Sequence, residues 1–266
     1  MPAAAPLTTV RPVDSHHTEV ITVGTDGSYW GGMALDWAAR HAWLRGAELH
    51  VLRASDERPA DVPADLGLSH THRLYPLLPI TCQAAGASPV VDLTTASADS
   101  SLLVLGCRGH RRFGLGDLVV PTLMGTRCDM LVARGTPDAV HGTHRTVTTM
   151  ISGGAEDNLV VRRGAEFAAA YRSALRVVHA APDELRPATT PEDVLAVAEL
   201  QLKALDFAGH AAFTLVRALP HEALRHGDTD LVVLGRGESR RHIDSPGPVT
   251  RTALYHAPCP VLVVHS

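Results

Sequence analysis

Hydrophobic positions along this chain change repeatedly between two spacings. Residues 19–24 and 48–54 are short runs rich in aliphatic and β-branched side chains, whereas residues 33–44 place apolar side chains at intervals of three and four. Residues 102–105 and 231–234 are wholly apolar, which is typical of strands buried on both faces. This regular alternation of strands and amphipathic helices predicts an α/β fold with parallel sheets.

The pattern occurs twice along the chain. Corresponding positions in the two halves are Asp26 and Ser152, Val51 and Val177, Gly106 and Gly235, and Cys128 and Cys259. The shift is 126 residues for the first two pairs and then 129 and 131 residues. The predicted strands are 19–24, 48–54, 79–84, 102–105 and 130–133 in the first half, and 146–151, 175–180, 213–216, 231–234 and 261–264 in the second. We therefore predict two tandem domains, each with a five-stranded parallel sheet.

Composition divides the chain further. Residues 1–18, which begin with prolines and alanines, are predicted to be a disordered tail, and the Gly, Pro and His content of residues 136–144 predicts a linker. The domains are then residues 19–135 and 145–266.

Composition also argues against several classes of protein. A net charge of −4 with 4% aromatic residues is not expected of a nucleic-acid-binding surface. No apolar run approaches the roughly 18–20 residues of a membrane span and no signal-peptide pattern is present, so we expect a cytoplasmic protein without membrane contact. The four cysteines form no CxxC pair, which predicts reduced thiols. The sixteen histidines show no metal-ligand spacing, and we interpret them as solvated surface residues with no metal site.

A glycine loop follows the fourth predicted strand of each half. Gly106 and Gly109 lie in the first loop, and Gly235 and Gly237 lie in the second. Loops at the carboxyl ends of strands in open α/β sheets bind ligands, and glycines let backbone N–H groups approach phosphates. The alternative is that these glycines only allow sharp chain reversal, and that Asp26 is only a turn and helix-cap residue.

In these motifs the chain resembles the universal stress protein family over both halves. Residues 247–264 are similar to the closing helix and strand of that family, and residues 23–28 are similar to its start. The resemblance implies two domains of the adenine-nucleotide alpha hydrolase-like, Rossmann-like type, related by a pseudo-two-fold axis. It also implies that residues 130–133 and 261–264 pair with each other inside one chain, and that the protein acts through protein partners or self-association.

The resemblance further implies a nucleotide site, formed by an Asp after the first strand and a loop of the form G-x2-G-x9-G-[S/T]. The residues of the first half assigned to it are Asp26, Gly106, Arg108, Gly109 and Gly116. Here only six residues separate the second glycine from Gly116, and Asp117 stands where the family has Ser or Thr. A carboxylate caps a helix well but is a like charge beside a phosphate.

The second half departs from the family pattern differently. Its loop glycines are Gly235, Gly237 and Gly247. Ser152 replaces the acidic residue, and Pro248 replaces the Ser or Thr and brings neither a hydroxyl nor an N–H group. We therefore predict that this second site is degenerate.

Three functions remain open at this point. The first is a non-enzymatic stress-response protein with a degenerate nucleotide pocket. The second is an ATP-binding regulator that uses Asp26 and the Gly106 loop, with slow hydrolysis as an option. The third, a nucleotidyl-transfer enzyme, is disfavoured because the sequence has no metal-binding acidic pair, no lysine-bearing phosphate loop and no nucleophile with a partner base.

Overall fold

The apolar runs form strands and the amphipathic stretches form helices in the computed structural model, which describes residues 19–54, 66–107, 116–182, 190–224, 228–237 and 245–265. The strands are β1 (Val20–Thr25), β2 (Glu48–Arg53), β3 (Ile80–Ala84), β4 (Leu102–Gly106), β5 (Asp129–Ala133), β6 (Thr146–Ile151), β7 (Ala174–Ala180), β8 (Ala211–Val216), β9 (Leu231–Gly235) and β10 (Val261–Val264). The helices are α1 (Tyr29–Arg45), α2 (Leu66–Leu74), α3 (Pro89–Ala96), α4 (Gly116–Gly125), α5 (Pro137–His141), α6 (Asp157–Tyr171), α7 (Pro191–Ala204), α8 (Pro220–Ala223) and α9 (Pro248–His256). The predicted tail, residues 1–18, lies outside the described residues.

Within the described residues, the strands form one ten-stranded sheet in the order β3-β2-β1-β4-β5-β10-β9-β6-β7-β8. Strands β1–β5 are parallel to one another, and so are β6–β10. The halves join where β5 pairs antiparallel with β10, with Leu131 opposite Leu262. The predicted pairing of the last strands is therefore confirmed, and it buries two apolar edges that would otherwise invite pairing with another chain.

Both faces of the sheet are covered by helices. On one face, α1 and α2 of the first half and α6 and α7 of the second pack into one core, and on the other face α3, α4, α8 and α9 pack into another. Each core runs across the junction between the halves. This burial on both faces explains why β4 and β9 are wholly apolar except for their final glycines.

The predicted linker, residues 136–144, contains the short helix α5. Thr136 caps it by accepting a hydrogen bond from the N–H group of Ala139, and Gly142 ends it at φ +76°. Arg40 of α1 donates to the carbonyl oxygens of Val140 and His141, the first at 2.9 Å. The segment is therefore held against the first half.

The interpretation of the histidines as solvated is wrong for His41 and His179, which are 5% and 7% exposed. Each ring has a polar partner, because Nδ1 of His41 lies 2.9 Å from the hydroxyl of Tyr171 and Nδ1 of His179 lies 3.0 Å from the carbonyl oxygen of Ile151. A satisfied ring nitrogen makes burial of a neutral imidazole tolerable. Among the described residues, no helix is long and apolar enough to cross a membrane.

Candidate functional site

The first candidate site lies where β1 and β4 end. These strands are parallel neighbours, with Val23 opposite Val104, so their carboxyl ends meet at one edge of the sheet. Asp26 and Gly106 lie there on the wall of a cavity of about 350 Å³. Two of the predicted site residues are thus brought together, at the edge where α/β sheets bind ligands.

Asp26 closes the turn between β1 and α1. Its Oδ1 accepts a hydrogen bond of 3.0 Å from the N–H group of Ser28, and the Ser28 hydroxyl in turn caps α1 by accepting from Gly31. A β-carbon at Gly31 would lie 2.7 Å from Oδ1 of Asp26. The carboxylate therefore has a structural role in the turn as well as a place on the cavity wall.

Gly106 is required by packing. A β-carbon at this position would lie 2.1 Å from the carbonyl oxygen of Trp30, so only glycine lets β4 end against the first turn of α1. This contact accounts for the residue without any ligand.

The rest of the first loop is described only in part. Arg108 and Gly109 lie outside the described residues, as does the side chain of Asp117. Gly116 is the first residue of α4.

The wall of this first cavity is largely apolar. Its apolar side chains include Leu52, Leu93, Leu105 and Leu118, and its polar ones are Thr25, Asp26 and Ser28. No lysine or arginine among the described residues lines it. Such a wall suits an apolar ring beside one hydrogen-bond-accepting carboxylate, and the described part supplies no cation for a phosphate.

The second candidate site lies at the corresponding edge of the second half. Gly235, Gly237 and Gly247 meet there around a cavity of about 260 Å³, which Glu156 and Asp157 also line. Neither acidic residue was identified from the sequence.

Glu156 lies directly on the second glycine loop. Its Oε2 accepts a hydrogen bond of 2.9 Å from the N–H group of Gly237, and a β-carbon at Gly235 would lie 2.3 Å from the same oxygen. The N–H group of Gly247 donates to the carbonyl oxygen of Arg236 at 3.0 Å. Two backbone donors that a phosphate would use are therefore satisfied within the protein.

Arg236, the arginine in the described part of this loop, is directed away from the cavity. Arg236 donates through Nη2 to the carbonyl oxygen of Thr126, at 3.4 Å, in the other half. Burial lowers the pKa of Arg236 below its usual range, and the charge of Glu156 opposes that shift. Within its described residues, the loop therefore places a carboxylate rather than a guanidinium at the cavity.

Asp157 supplies an acidic side chain to the turn in which Ser152 stands in place of an acidic residue. Its two oxygens accept hydrogen bonds from the N–H groups of Ser152 and Gly153, at 3.0 and 2.7 Å. By the shift of 126 residues, Asp157 corresponds to Gly31, whose missing side chain would point at Oδ1 of Asp26. The second half thus holds a carboxylate in this turn, but from the helix rather than from the strand end.

Solved structures resemble the whole chain. A universal stress protein from Archaeoglobus fulgidus DSM 4304 is 16% identical over 92% of this chain and 97% of its own, with a TM-score of 0.65. A functionally unknown protein from Pseudomonas aeruginosa PAO1 is 14% identical over 93% and 92%, with a TM-score of 0.67. The chain has the tandem universal stress protein fold.

This fold also occurs in the cytoplasmic domain of a prokaryotic cation chloride cotransporter, which is 13% identical over 92% of this chain and 94% of its own, with a TM-score of 0.62. No protein-family model and no curated protein matches the sequence. The universal stress fold is therefore shown by structure, and the chemistry of the individual sites has to decide function.

Within the universal stress fold, the shift of 126 residues between the halves is the sequence signal from which Glu156 and Asp157 could have been identified. It places Glu156 opposite Trp30, which contacts the first glycine loop through its backbone. The side chain at the corresponding position of the second half was therefore a candidate to contact the second loop.

Proposed function

We propose that this chain is a non-enzymatic stress-response regulator of the universal stress type, cytoplasmic, with a degenerate nucleotide pocket, acting through protein partners or self-association. The observation that carries the proposal is the hydrogen bond from the N–H group of Gly237 to Glu156. This bond supports the proposal because the protein's own carboxylate, rather than a ligand, accepts from the N–H group of the loop.

Charge repulsion strengthens this argument. Two like unit charges about 4 Å apart repel by about 4 kcal/mol at an effective dielectric constant of about 20. That energy corresponds to about a thousandfold loss of affinity for a phosphate placed beside Glu156, before the nearby Asp157 is considered.

A second candidate function is an ATP-binding regulator that uses the first half. The first cavity has a volume of about 350 Å³, which is the size of a small-ligand site. The atoms nearest a β-carbon at Gly106 are backbone atoms, whereas at Gly235 they belong to the carboxylate side chain of Glu156. Asp26 and Gly106 would then contact the nucleotide. The shortened loop and Asp117 are the sequence features that count against triphosphate binding.

Thermal unfolding with and without ATP and Mg²⁺ separates the two functions. A site with a Kd of about 10 μM would add about 2.7 kcal/mol at about 1 mM ATP and raise Tm by about 5 °C or more. We expect no such rise for the wild-type protein.

Two variants make the result specific. A rise in Tm that Asp26→Ala abolishes, and that Glu199→Gln on the exposed face of α7 preserves, would establish the ATP-binding function instead. If wild type shows no rise, steady-state phosphate release from ATP should equal the rate without protein.

A further inference from the structure

A separate cavity of about 330 Å³ lies between the two halves, and we call it the junction cavity. It is lined by Trp37 and Arg40 of α1, by Arg145 before β6, and by Tyr171 and Arg172 at the end of α6. Val147 and Leu231 place it at the amino ends of β6 and β9, opposite the glycine loops. It exists only because the halves pack together.

Positive charge in the junction cavity is not neutralised. The charged side chains of its wall, apart from His141, are three arginines and Asp230, which give a net charge of +2. Both oxygens of Asp230 accept hydrogen bonds from backbone N–H groups, those of His144 and Thr146. In the described part of the chain, none of the three arginines forms an ion pair with a carboxylate.

Arg40 shows the same excess of donors. Its guanidinium donates to two carbonyl oxygens of α5 and lies 5.2 Å from the centre of the Tyr171 ring, while its Nε is buried without a hydrogen-bond partner. Each Nη nitrogen carries two hydrogens and uses one of them in these bonds, so the guanidinium keeps donors for a bound anion.

The pseudo-two-fold axis supplies an internal comparison. A second cavity, lined by Glu19 and Glu166 among others, lies at the position that the pseudo-two-fold axis relates to the junction cavity, and we call it the mate. Its volume is only about 60 Å³. By the shift of 126 residues, Arg40 corresponds there to Glu166, and Arg145 corresponds to Glu19. Two acidic positions of the mate are therefore basic in the junction cavity.

Every arginine that lines the mate is paired. Arg45 lies 3.2 Å from Glu19, and Arg163 lies 2.7 Å from both Asp129 and Glu166. The mate is thus a small contact between the halves whose arginines are ion-paired, whereas the junction cavity is larger and basic.

Two of these arginines also occupy backbone positions that favour glycine. Arg145 and Arg172 both have φ +51°, and Arg172 corresponds to Gly46, which ends α1 at φ +65°. Arginine is strained where glycine would not be. Among the described residues, Asp206 is the remaining non-glycine with positive φ.

We infer that the junction cavity binds a small organic phosphate. Phosphate is the anion that converging arginines recognise by charge-assisted hydrogen bonds, and Trp37, Val147 and Leu231 supply an apolar wall for the organic part. The site is independent of the glycine loops and of the function proposed above.

Calorimetric titration with phenyl phosphate tests this inference. Wild type should bind it, more tightly than inorganic phosphate, and Arg172→Gly should weaken binding at least about tenfold because a charged hydrogen bond is lost. Since glycine suits φ +51°, the same substitution should maintain or raise Tm, so that weaker binding is not a result of unfolding.

Asp206→Gly is the matched control. It relieves the same backbone strain away from the cavity and should raise Tm without changing phenyl phosphate affinity. Arg145→Glu introduces into the junction cavity the acidic residue found at the corresponding position of the mate, and it should abolish binding of phenyl phosphate. Absence of heat with wild type, equal affinity for phenyl and inorganic phosphate, or an affinity unchanged in Arg172→Gly would each overturn the inference.

Discussion

His41 lies at the centre of the contact between the two halves. Its ring stacks on Phe167 with the centroids 4.8 Å apart and the planes 5° apart, and these two positions are related by the shift of 126 residues. Burial, together with the smaller effect of the charges of Arg45 and Arg40, lowers the pKa of His41 to about 3. The junction should therefore respond to acid through this one imidazole.

The magnitude follows from linkage between protonation and folding. In the unfolded chain the imidazole has its usual pKa of 6.5, whereas in the folded protein it stays neutral down to about pH 3. Its contribution to stability is complete above pH 6.5 and is lost as the pH falls toward 3. Between about pH 7.5 and about pH 5, the free energy of unfolding should fall by about 2 kcal/mol on this account.

Urea unfolding at these two pH values measures the effect, with wild type compared to the double variant His41→Phe, Tyr171→Phe. Replacing both members of the hydrogen-bonded pair leaves neither the imidazole nor the hydroxyl without its partner. The variant should lose about 2 kcal/mol less than wild type on acidification, because it lacks the titrating ring. His256→Gln, at an exposed position, should behave as wild type. Equal losses in wild type and the double variant would refute this reasoning.

Two other predictions concern the junction and the thiols. Asp129→Ala removes the buried carboxylate that lies 2.7 Å from Arg163 across the halves. Because Arg163 is 36% exposed and keeps Glu166 as a partner, the free energy of unfolding should fall by about 2 kcal/mol in urea titrations, the contribution of a charged hydrogen bond. A loss below about 0.5 kcal/mol would show that the pair is only a surface contact. With a thiol-specific chromogenic reagent, the native protein should release one equivalent of chromophore rapidly, from exposed Cys82. Burial raises the pKa of Cys128 to about 11 and that of Cys259 to about 12, so these two thiols should react slowly. Rapid labelling that persists in Cys82→Ser would contradict this.

Much of the fold was predictable because its signals are local. A strand buried on both faces needs an unbroken apolar run, so β4 and β9 could be located from a few residues each. Helix ends were also local: Ser28, Gly46 and Thr190 act as caps, as their residue types indicate.

Other features could not be predicted from local pattern. Helix α5 is only five residues long, and its sequence is as typical of a linker as of a helix. His41 and His179 looked like surface residues, because the aromatic ring and the carbonyl oxygen that bury them come from distant segments.

The sequence by itself determined the α/β class, the duplication and the placement of a glycine loop at the end of the fourth strand in each half. These depend on residue spacing within single elements, and spacing is visible in one dimension. Only the tertiary structure decided that Glu156 lies on the second loop, 81 positions from Gly237, and that Arg40 and Arg172 line one cavity. Those contacts depend on how strands far apart in sequence pair and on how closely the halves pack, which side-chain periodicity does not specify.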